Sequence, residues 1–260
     1  MNTIVDLVKF LRIQLCIFAS LLAMSGFLIF NEVSLAVFGV IGVAFFTYAS
    51  LSVYNNITDK DEDIINRKAI SPLSKSAAGL CIAVAAAASS VLLSYLLSVT
   101  TIALTIVVLV TGLAYSKFRI KRYLLVKNVY TAAVMSLIFF MGAVSGLPTP
   151  ETIVSYFAAI FMFFFAGSII SDMRDYEGDI KTGIRTLPVL AGLTKSKVLV
   201  CSITALMIVS IIAFDLPNLY ILAVAAAIAS ATAVLAKPHA AHNIGGLALI
   251  ALAIRLLLTS

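Results

Sequence analysis

Residues 77–97 read AAGLCIAVAAAASSVLLSYLL, a stretch without a charged side chain. About 20 helical residues cross the roughly 30 Å hydrocarbon core of a bilayer. A run of this length and polarity therefore predicts a membrane-spanning helix rather than a core helix of a soluble domain. The pattern repeats after a short polar break, since a second charge-free apolar run occupies residues 102–115.

The composition of the whole chain extends this interpretation. Hydrophobic residues make up 62% of the 260-residue chain and charged residues make up 12%. Soluble domains contain about 45–50% apolar residues and about 25% charged residues. We therefore predict an all-α, polytopic membrane protein, with one domain over residues 1–260 and nine transmembrane helices around a central cavity. The predicted spans cover residues 11–30, 35–54, 77–97, 102–115, 129–146, 153–171, 198–214, 219–236 and 244–258.

Basic residues mark one side of the predicted bundle. Seventeen of the 18 lysines and arginines lie in residues 1–12, 54–76, 115–128, 172–197 and 237–243, and the other four connections contain none. Cytoplasmic loops are enriched in lysine and arginine, so the N-terminus and these connections are predicted to face the cytoplasm across the cell membrane. Because the charge is confined to short loops, the net charge of +6 does not indicate nucleic-acid binding.

Acidic residues concentrate in two of the cytoplasmic connections, which hold eight of the chain's 12 acids. In the first, Asn55, Asp59 and Asp63 are spaced i, i+4, i+8, which places them on one face of a helix that continues from the second span. Like charges at this spacing repel each other unless a cation lies between them. Carboxylates, water and substrate phosphate oxygens are the ligands of Mg²⁺, so the spacing predicts a magnesium site.

The second acidic connection shows an equivalent pattern. Asp172, Asp175 and Asp179 are spaced i, i+3, i+7 and again share one helical face. Each cluster follows an even-numbered span, and both are predicted to point into one polar cavity at the cytoplasmic rim. The alternative is that these acids are solvated loop charges that balance nearby lysines. Two clusters with helical spacing, on the same side of a charge-poor protein, favour the functional interpretation.

These motifs resemble those of the UbiA-type intramembrane prenyltransferases. The first matches the family pattern N-x-x-x-D-x-x-x-D, although Asn56 stands where many members have aspartate, and residues 67–74 depart from the family's R-P…R-P-x-x-S-G run. Residues 115–122, with Asn128 after them, are similar to the family's Y-S…K segment. The second acidic motif with its trailing residues is also similar to the family's: Asp172, Asp175, Glu177, Gly178, Asp179, Gly183, Thr186, Leu187 and Pro188.

The resemblance implies transfer of a prenyl group from an isoprenyl diphosphate to a small acceptor, with Mg²⁺ as the cofactor and ionisation to an allylic cation. Metal ions held by Asp59, Asp63, Asp175 and Asp179 would neutralise the diphosphate leaving group. Tyr115 would donate a hydrogen bond as a catalytic residue. The expected substrate-binding residues lie on the same cytoplasmic face: Asn55, Arg67, Lys117, Lys121, Asn128, Asp172 and Arg185.

The acceptor is left open between two classes. Residues 63–67 and 175–179 look closest to the archaeal digeranylgeranylglyceryl phosphate synthase subgroup, which implies geranylgeranylglyceryl phosphate as a lipid acceptor. An aromatic ring, as in quinone precursors, is the alternative. A secondary transporter is a third hypothesis, but transporters place charges and broken helices near the membrane midplane, whereas the spans predicted here are almost free of charge and proline.

Overall fold

The structure is a computed structural model that describes residues 7–8, 10–59, 71–118, 124–144, 149–235 and 238–259. Within these ranges the chain is helical and contains no β-strand. Nine of the described helices are long and apolar enough to cross a membrane, which confirms the predicted all-α architecture and the number of spans. The helices are α1 (Ile13–Phe30), α2 (Ala36–Thr58), α3 (Ala77–Leu97), α4 (Val99–Lys117), α5 (Val126–Ala143), α6 (Pro150–Arg174), α7 (Tyr176–Thr182), α8 (Leu187–Ala191), α9 (Leu193–Ala213), α10 (Tyr220–Val234) and α11 (Pro238–Thr259).

Helices α4 and α6 begin earlier than the apolar runs that predicted them, because a polar cap precedes the apolar residues of each. Ser98 accepts a hydrogen bond from the Thr101 N–H at 3.0 Å and starts α4 before residue 102. Thr149 accepts one from the Thr152 N–H at 3.3 Å, and a proline follows it at the first position of α6. Proline also begins α11, whose first turns contain residues that the sequence assigns to a connection.

The chain divides into two compact units. Unit 1 contains Met1–Ile120 and Leu137–Gly146, and unit 2 contains Lys121–Ser136 and Leu147–Ser260. Helix α5 therefore supplies its first turns to unit 2 and its last turns to unit 1. The first acidic motif belongs to unit 1 and the second to unit 2, so the single-domain assignment and the convergence of the two motifs stay predictions.

In unit 1, α1 and the end of α5 approach so closely that only glycine fits at two points. A Cβ on Gly26 would lie 2.0 Å from the carbonyl oxygen of Phe139, and a Cβ on Gly142 would lie 2.0 Å from that of Ala23. Spanning helices gain little hydrophobic free energy by leaving lipid, so they associate through close van der Waals contact between small residues. These two glycines provide that contact.

In unit 2, α6 lies at the centre of the packing. Thr204 of α9 and Ser230 of α10 share a buried hydrogen bond of 2.7 Å, which satisfies two hydroxyls that lipid would leave unpaired. Arg255, near the end of α11, donates to the carbonyl oxygen of Pro217 at 3.3 Å, so this cation is held at the connection before α10. One apolar cluster joins α6 to α9, α10 and α11: Ala166, Ile169, Ile170, Met173, Val200, Ala229, Ala233 and Ala241.

Gly142→Ala is expected to lower the thermal unfolding temperature of the purified protein by several degrees, because the added methyl group would collide with the backbone of α1. Overpacking of this kind costs about 1–3 kcal/mol. Gly246→Ala in α11 is the matched control, since nothing lies within 4 Å of its Cβ position. Thermal scans in detergent compare the two variants, and an unchanged melting temperature for Gly142→Ala would contradict the close contact.

Candidate active site

The first acidic motif lies at the end of α2. Asn55 occupies the last turn, and Asp59 ends the helix with its N–H donating to the Asn55 carbonyl oxygen at 2.9 Å. Only 7% of Asp59 is exposed, so this residue is largely withdrawn from water at the edge of an apolar helix. The continuation of the helical face to Asp63, and the neighbouring Arg67, lie outside the described residues.

The side chain of Asn55 contacts the end of α4. The Ser116 hydroxyl donates to the Asn55 side-chain oxygen at 3.3 Å, so the structure brings together the first motif and the Tyr-Ser-Lys segment that the sequence singles out. Tyr115 is partly buried, whereas Lys117 is exposed, with its ammonium 6.0 Å from the centroid of a neighbouring phenylalanine ring. Lys121, the further cation expected from this segment, lies outside the described residues.

A contact that the sequence does not predict joins Asn56 to the segment before α1. The Arg12 guanidinium donates to the Asn56 side-chain oxygen at 2.7 Å, and the Asn56 amide donates to the carbonyl oxygen of Phe10 at 2.8 Å. In the sequence, Asn56 stands out only because many family members have aspartate at this position. That difference does not identify Arg12 as its partner. The contact therefore joins the end of α2 to the segment before α1 through a neutral amide.

The second motif is bent where the sequence predicts one continuous helical face. Helix α6 ends at Arg174 and α7 begins at Tyr176, while Asp175 between them has φ −90° and ψ 3°. The backbone hydrogen bonds continue through the bend, because the Asp179 N–H donates to the Asp175 carbonyl oxygen at 2.9 Å. Asp172 therefore belongs to the buried end of α6, whereas Asp175 and Asp179 follow it on a more exposed turn.

Asp172 is almost fully buried and is bound by the first turn of α5. Its exposed fraction is 1%. The Lys127 ammonium contacts one carboxylate oxygen, and the Asn128 amide donates to the other at 2.9 Å and to the Ser168 hydroxyl at 2.8 Å. Asp172 and Asn128, predicted to bind substrate, are thus bonded to each other in the folded chain. The sequence gives no signal for the role of Lys127, because a lysine in a connection predicted to be cytoplasmic is expected from topology alone.

Asp175 forms a bidentate ion pair with its neighbour Arg174. The guanidinium donates to the two carboxylate oxygens at 2.8 and 2.9 Å, and it also donates to the Ser171 hydroxyl at 3.1 Å. The hydrogen bonds from Arg174 hold the pKa of Asp175 below its usual range. Because the Asp175 side chain is 51% exposed, its carboxylate is both ionised and accessible to solvent.

Asp179 differs from Asp175, because partial burial raises its pKa. The Thr186 hydroxyl donates to one carboxylate oxygen of Asp179 at 3.1 Å and acts against this rise. Arg185, a cation predicted to bind substrate, is exposed on the segment before α8. A partly desolvated carboxylate is stabilised in its ionised form by a nearby cation, so Asp179 is suited to a bound metal ion.

The oxygen ligands at both motifs suit a hard divalent cation. Among the residues that the structure describes, no group of three or more histidine, cysteine, aspartate or glutamate side chains forms a complete metal site. Mg²⁺ needs only one or two carboxylates, because it keeps several waters and binds substrate phosphates. Asp59 in unit 1, and Asp175 and Asp179 in unit 2, therefore fit magnesium that is bound together with a phosphate-bearing substrate.

The spanning helices, with charged side chains at their ends, are typical of multi-pass membrane proteins that have a polar site at the membrane surface. The model of the UbiA prenyltransferase family matches residues 14–251, and the chain belongs to this family. The protein is therefore an intramembrane prenyltransferase, as the resemblance of its motifs implied. A comparison with proteins of curated function gives no significant match.

Solved structures of related proteins share the fold over nearly the whole chain. A digeranylgeranylglyceryl phosphate synthase has a TM-score of 0.72 at 21% identity, covering 98% of this chain and 100% of that one. A UbiA homologue from Aeropyrum pernix K1 has a TM-score of 0.76 at 21% identity, with 95% and 98% covered. A UbiA homologue from Archaeoglobus fulgidus, bound to DMAPP and Mg²⁺, has a TM-score of 0.71 at 17% identity, with 96% and 98% covered. At these identities the likeness confirms the fold.

Thr186→Val is expected to shift the acid limb of the pH–activity profile to higher pH. Losing the hydroxyl removes an interaction that lowers the pKa of Asp179, so burial raises that pKa further and the carboxylate is protonated earlier as the pH falls. The measurement is kcat/KM for prenyl transfer across the range of about pH 5 to 8 at one fixed Mg²⁺ concentration.

The control for this experiment is Thr194→Val, at an exposed position of the same unit. It should leave the acid limb in place. If Thr186→Val also leaves the limb in place, then Asp179 is not the group whose protonation limits the reaction.

Proposed function

We propose that the protein transfers a prenyl group from an isoprenyl diphosphate to a lipid acceptor, with release of diphosphate. The observation that carries this proposal is the position of Asp59, Asp175 and Asp179 at or just beyond the ends of membrane-spanning helices. Such ends suit a substrate with an apolar tail and a charged head, because the tail stays among the helices while the diphosphate meets charged side chains. Family membership supports the same chemistry.

Asp59, Asp63, Asp175 and Asp179 are the residues that would hold Mg²⁺. When bound, the ion neutralises negative charge on the diphosphate and makes it a better leaving group. The Archaeoglobus fulgidus homologue was solved with DMAPP and Mg²⁺, which supports a requirement for a divalent metal ion. Since Arg174 already pairs with Asp175, the arginine has to share or release that carboxylate when Asp175 binds a cation.

The cations at the helix ends have a complementary role. Lys117 and Arg185 are exposed, and together with Arg67 and Lys121 they provide positive charge for diphosphate oxygens. Tyr115 donates a hydrogen bond to the departing diphosphate. The ionised prenyl group is an allylic cation, and the apolar side chains of the spans exclude the water that would react with it.

The acceptor that the chain supports best is geranylgeranylglyceryl phosphate. Residues 175–179 resemble the archaeal ether-lipid subgroup, and the fold is similar to that of a digeranylgeranylglyceryl phosphate synthase. Arg12, Lys117 and Arg185 are exposed cations, and cations of this kind suit an acceptor that carries a phosphate group. An aromatic quinone precursor is the alternative acceptor, whereas membership of an enzyme family sets the transporter hypothesis aside.

The orientation in the membrane follows from the distribution of charge. We infer that the protein lies in the cell membrane and that the proposed site faces the cytoplasm, because the connections that carry the acidic motifs also carry most of the basic residues.

Asp59→Ala, Asp63→Ala, Asp175→Ala and Asp179→Ala are each expected to lower kcat/KM by about a hundredfold or more, because each removes charge needed for diphosphate departure. Chelation of divalent ions should abolish turnover of the wild-type protein, and added Mg²⁺ should restore it. Release of diphosphate from geranylgeranyl diphosphate in the presence of acceptor measures both effects.

Asp61→Ala and Glu62→Ala are the matched controls, since these acids lie in the same connection but off the i, i+4 face of Asp59 and Asp63. Both should retain most of the activity. Full turnover in excess chelator would refute the metal-dependent mechanism. An equal loss in Asp61→Ala would mean that the acids do not share the helical face proposed for them.

Purified protein supplied with geranylgeranyl diphosphate should prenylate geranylgeranylglyceryl phosphate in preference to 4-hydroxybenzoate, because exposed cations favour a phosphate headgroup. The experiment compares kcat/KM for the two acceptors at one donor concentration, with product mass as the readout. Preference for the aromatic acceptor would support the alternative, and no transfer to either would contradict both acceptor classes.

A further inference from the structure

Lys127 is the more exposed member of its ion pair. It contacts Asp172, whose side chain is 2% exposed, yet 34% of the Lys127 side chain is exposed. An ammonium group has three N–H donors, and among the described residues Asp172 is its ion-pair partner. The contact with Asp172 engages one of these donors.

The position of Lys127 in its helix is also unusual for a cation. It lies in the first turn of α5, where the partial positive charge of the helix N-terminus disfavours a basic side chain. The contact with Asp172 offsets that cost, and the Asn128 amide holds the other oxygen of this carboxylate at 2.9 Å. A lysine at a helix N-terminus concentrates positive charge, which favours an anionic ligand.

Lys127 lies close to the second acidic motif. Its ion-pair partner Asp172 lies in the last turn of α6, and Asp175 follows three residues later between α6 and α7. The ammonium is thus bound to the acidic motif that carries the two carboxylates of unit 2 proposed to bind Mg²⁺.

We propose that Lys127 is a further diphosphate-binding residue and that Asp172 is the positioning residue that holds it. The assignment rests on the proposed function, since the anion in question is the diphosphate of the isoprenyl substrate. Both oxygens of Asp172 are bonded to α5, so this buried acid acts through Lys127. The exposed N–H groups of Lys127 donate to diphosphate oxygens beside Asp175 and Asp179.

The alternative role for Lys127 is to neutralise Asp172 and join α5 to α6. The two roles differ in what happens when both charges are removed. A structural pair can be replaced by two neutral side chains with little loss, because no buried charge is left without a partner. A lysine that binds diphosphate cannot be replaced in this way.

The test compares Lys127→Met, Asp172→Asn and the double variant with the wild-type protein. The double variant leaves no unpaired buried charge, so it stays folded even if Lys127→Met alone does not. We expect its Kd for inorganic pyrophosphate with Mg²⁺, and its KM for geranylgeranyl diphosphate, to rise about tenfold or more, the effect of losing a hydrogen bond to a charged group. The KM for the acceptor should stay near the wild-type value.

Lys195→Met is the matched control, because Lys195 is another lysine in the first turn of a helix of unit 2 and is exposed. It should leave Kd and KM unchanged. Wild-type affinity for pyrophosphate in the double variant would overturn the proposal and assign Lys127 a structural role.

The same measurements separate this proposal from the proposed function. A wild-type protein that binds pyrophosphate without transferring a prenyl group would contradict the proposed function, while the affinities of the variants would still decide the role of Lys127. A wild-type protein that does not bind pyrophosphate would overturn both.

Discussion

The hydrocarbon core of the membrane is the constraint on which the structure depends. It offers no partner to a charge or to an unpaired backbone group, so the chain crosses it as apolar helices and carries its acidic motifs at the helix ends. Spanning helices lack a hydrophobic drive to associate with one another. Contact therefore depends on small residues such as Gly26 and Gly142, and on buried hydroxyl pairs such as Thr204 with Ser230.

At the end of α6, local pairing decides which acids are available for chemistry. Asp172 is engaged by the first turn of α5, Asp175 is paired with Arg174 but half exposed, and Asp179 has a pKa raised by burial. Three acids that look equivalent in the sequence thus have different environments. The buried one is bonded to α5, the exposed one is paired with its neighbour, and the third is partly desolvated. The bend at Asp175 produces this division, because it separates the buried end of the helix from the turn that follows.

The end of α2 shows a comparable division between two adjacent asparagines. Asn55 contacts Ser116 of α4, while Asn56 contacts Arg12 and the backbone before α1. An aspartate in place of Asn56 would place a negative charge beside the Arg12 guanidinium, whereas the asparagine accepts the same hydrogen bond without a charge. The two asparagines thus connect the end of α2 to two different parts of unit 1.

The number of spans and the two acidic motifs could be predicted from the sequence, because length, polarity and spacing are local properties. Helix α3 begins and ends at the limits of the apolar run 77–97, whereas α4 and α6 begin earlier than their apolar runs because a polar cap precedes each of them. The contacts between distant residues could not be predicted in this way. Lys127 and Asp172 are 45 residues apart, and Arg12 and Asn56 are 44 apart. Such contacts depend on which helix faces pack together, and no local pattern of residues specifies that packing.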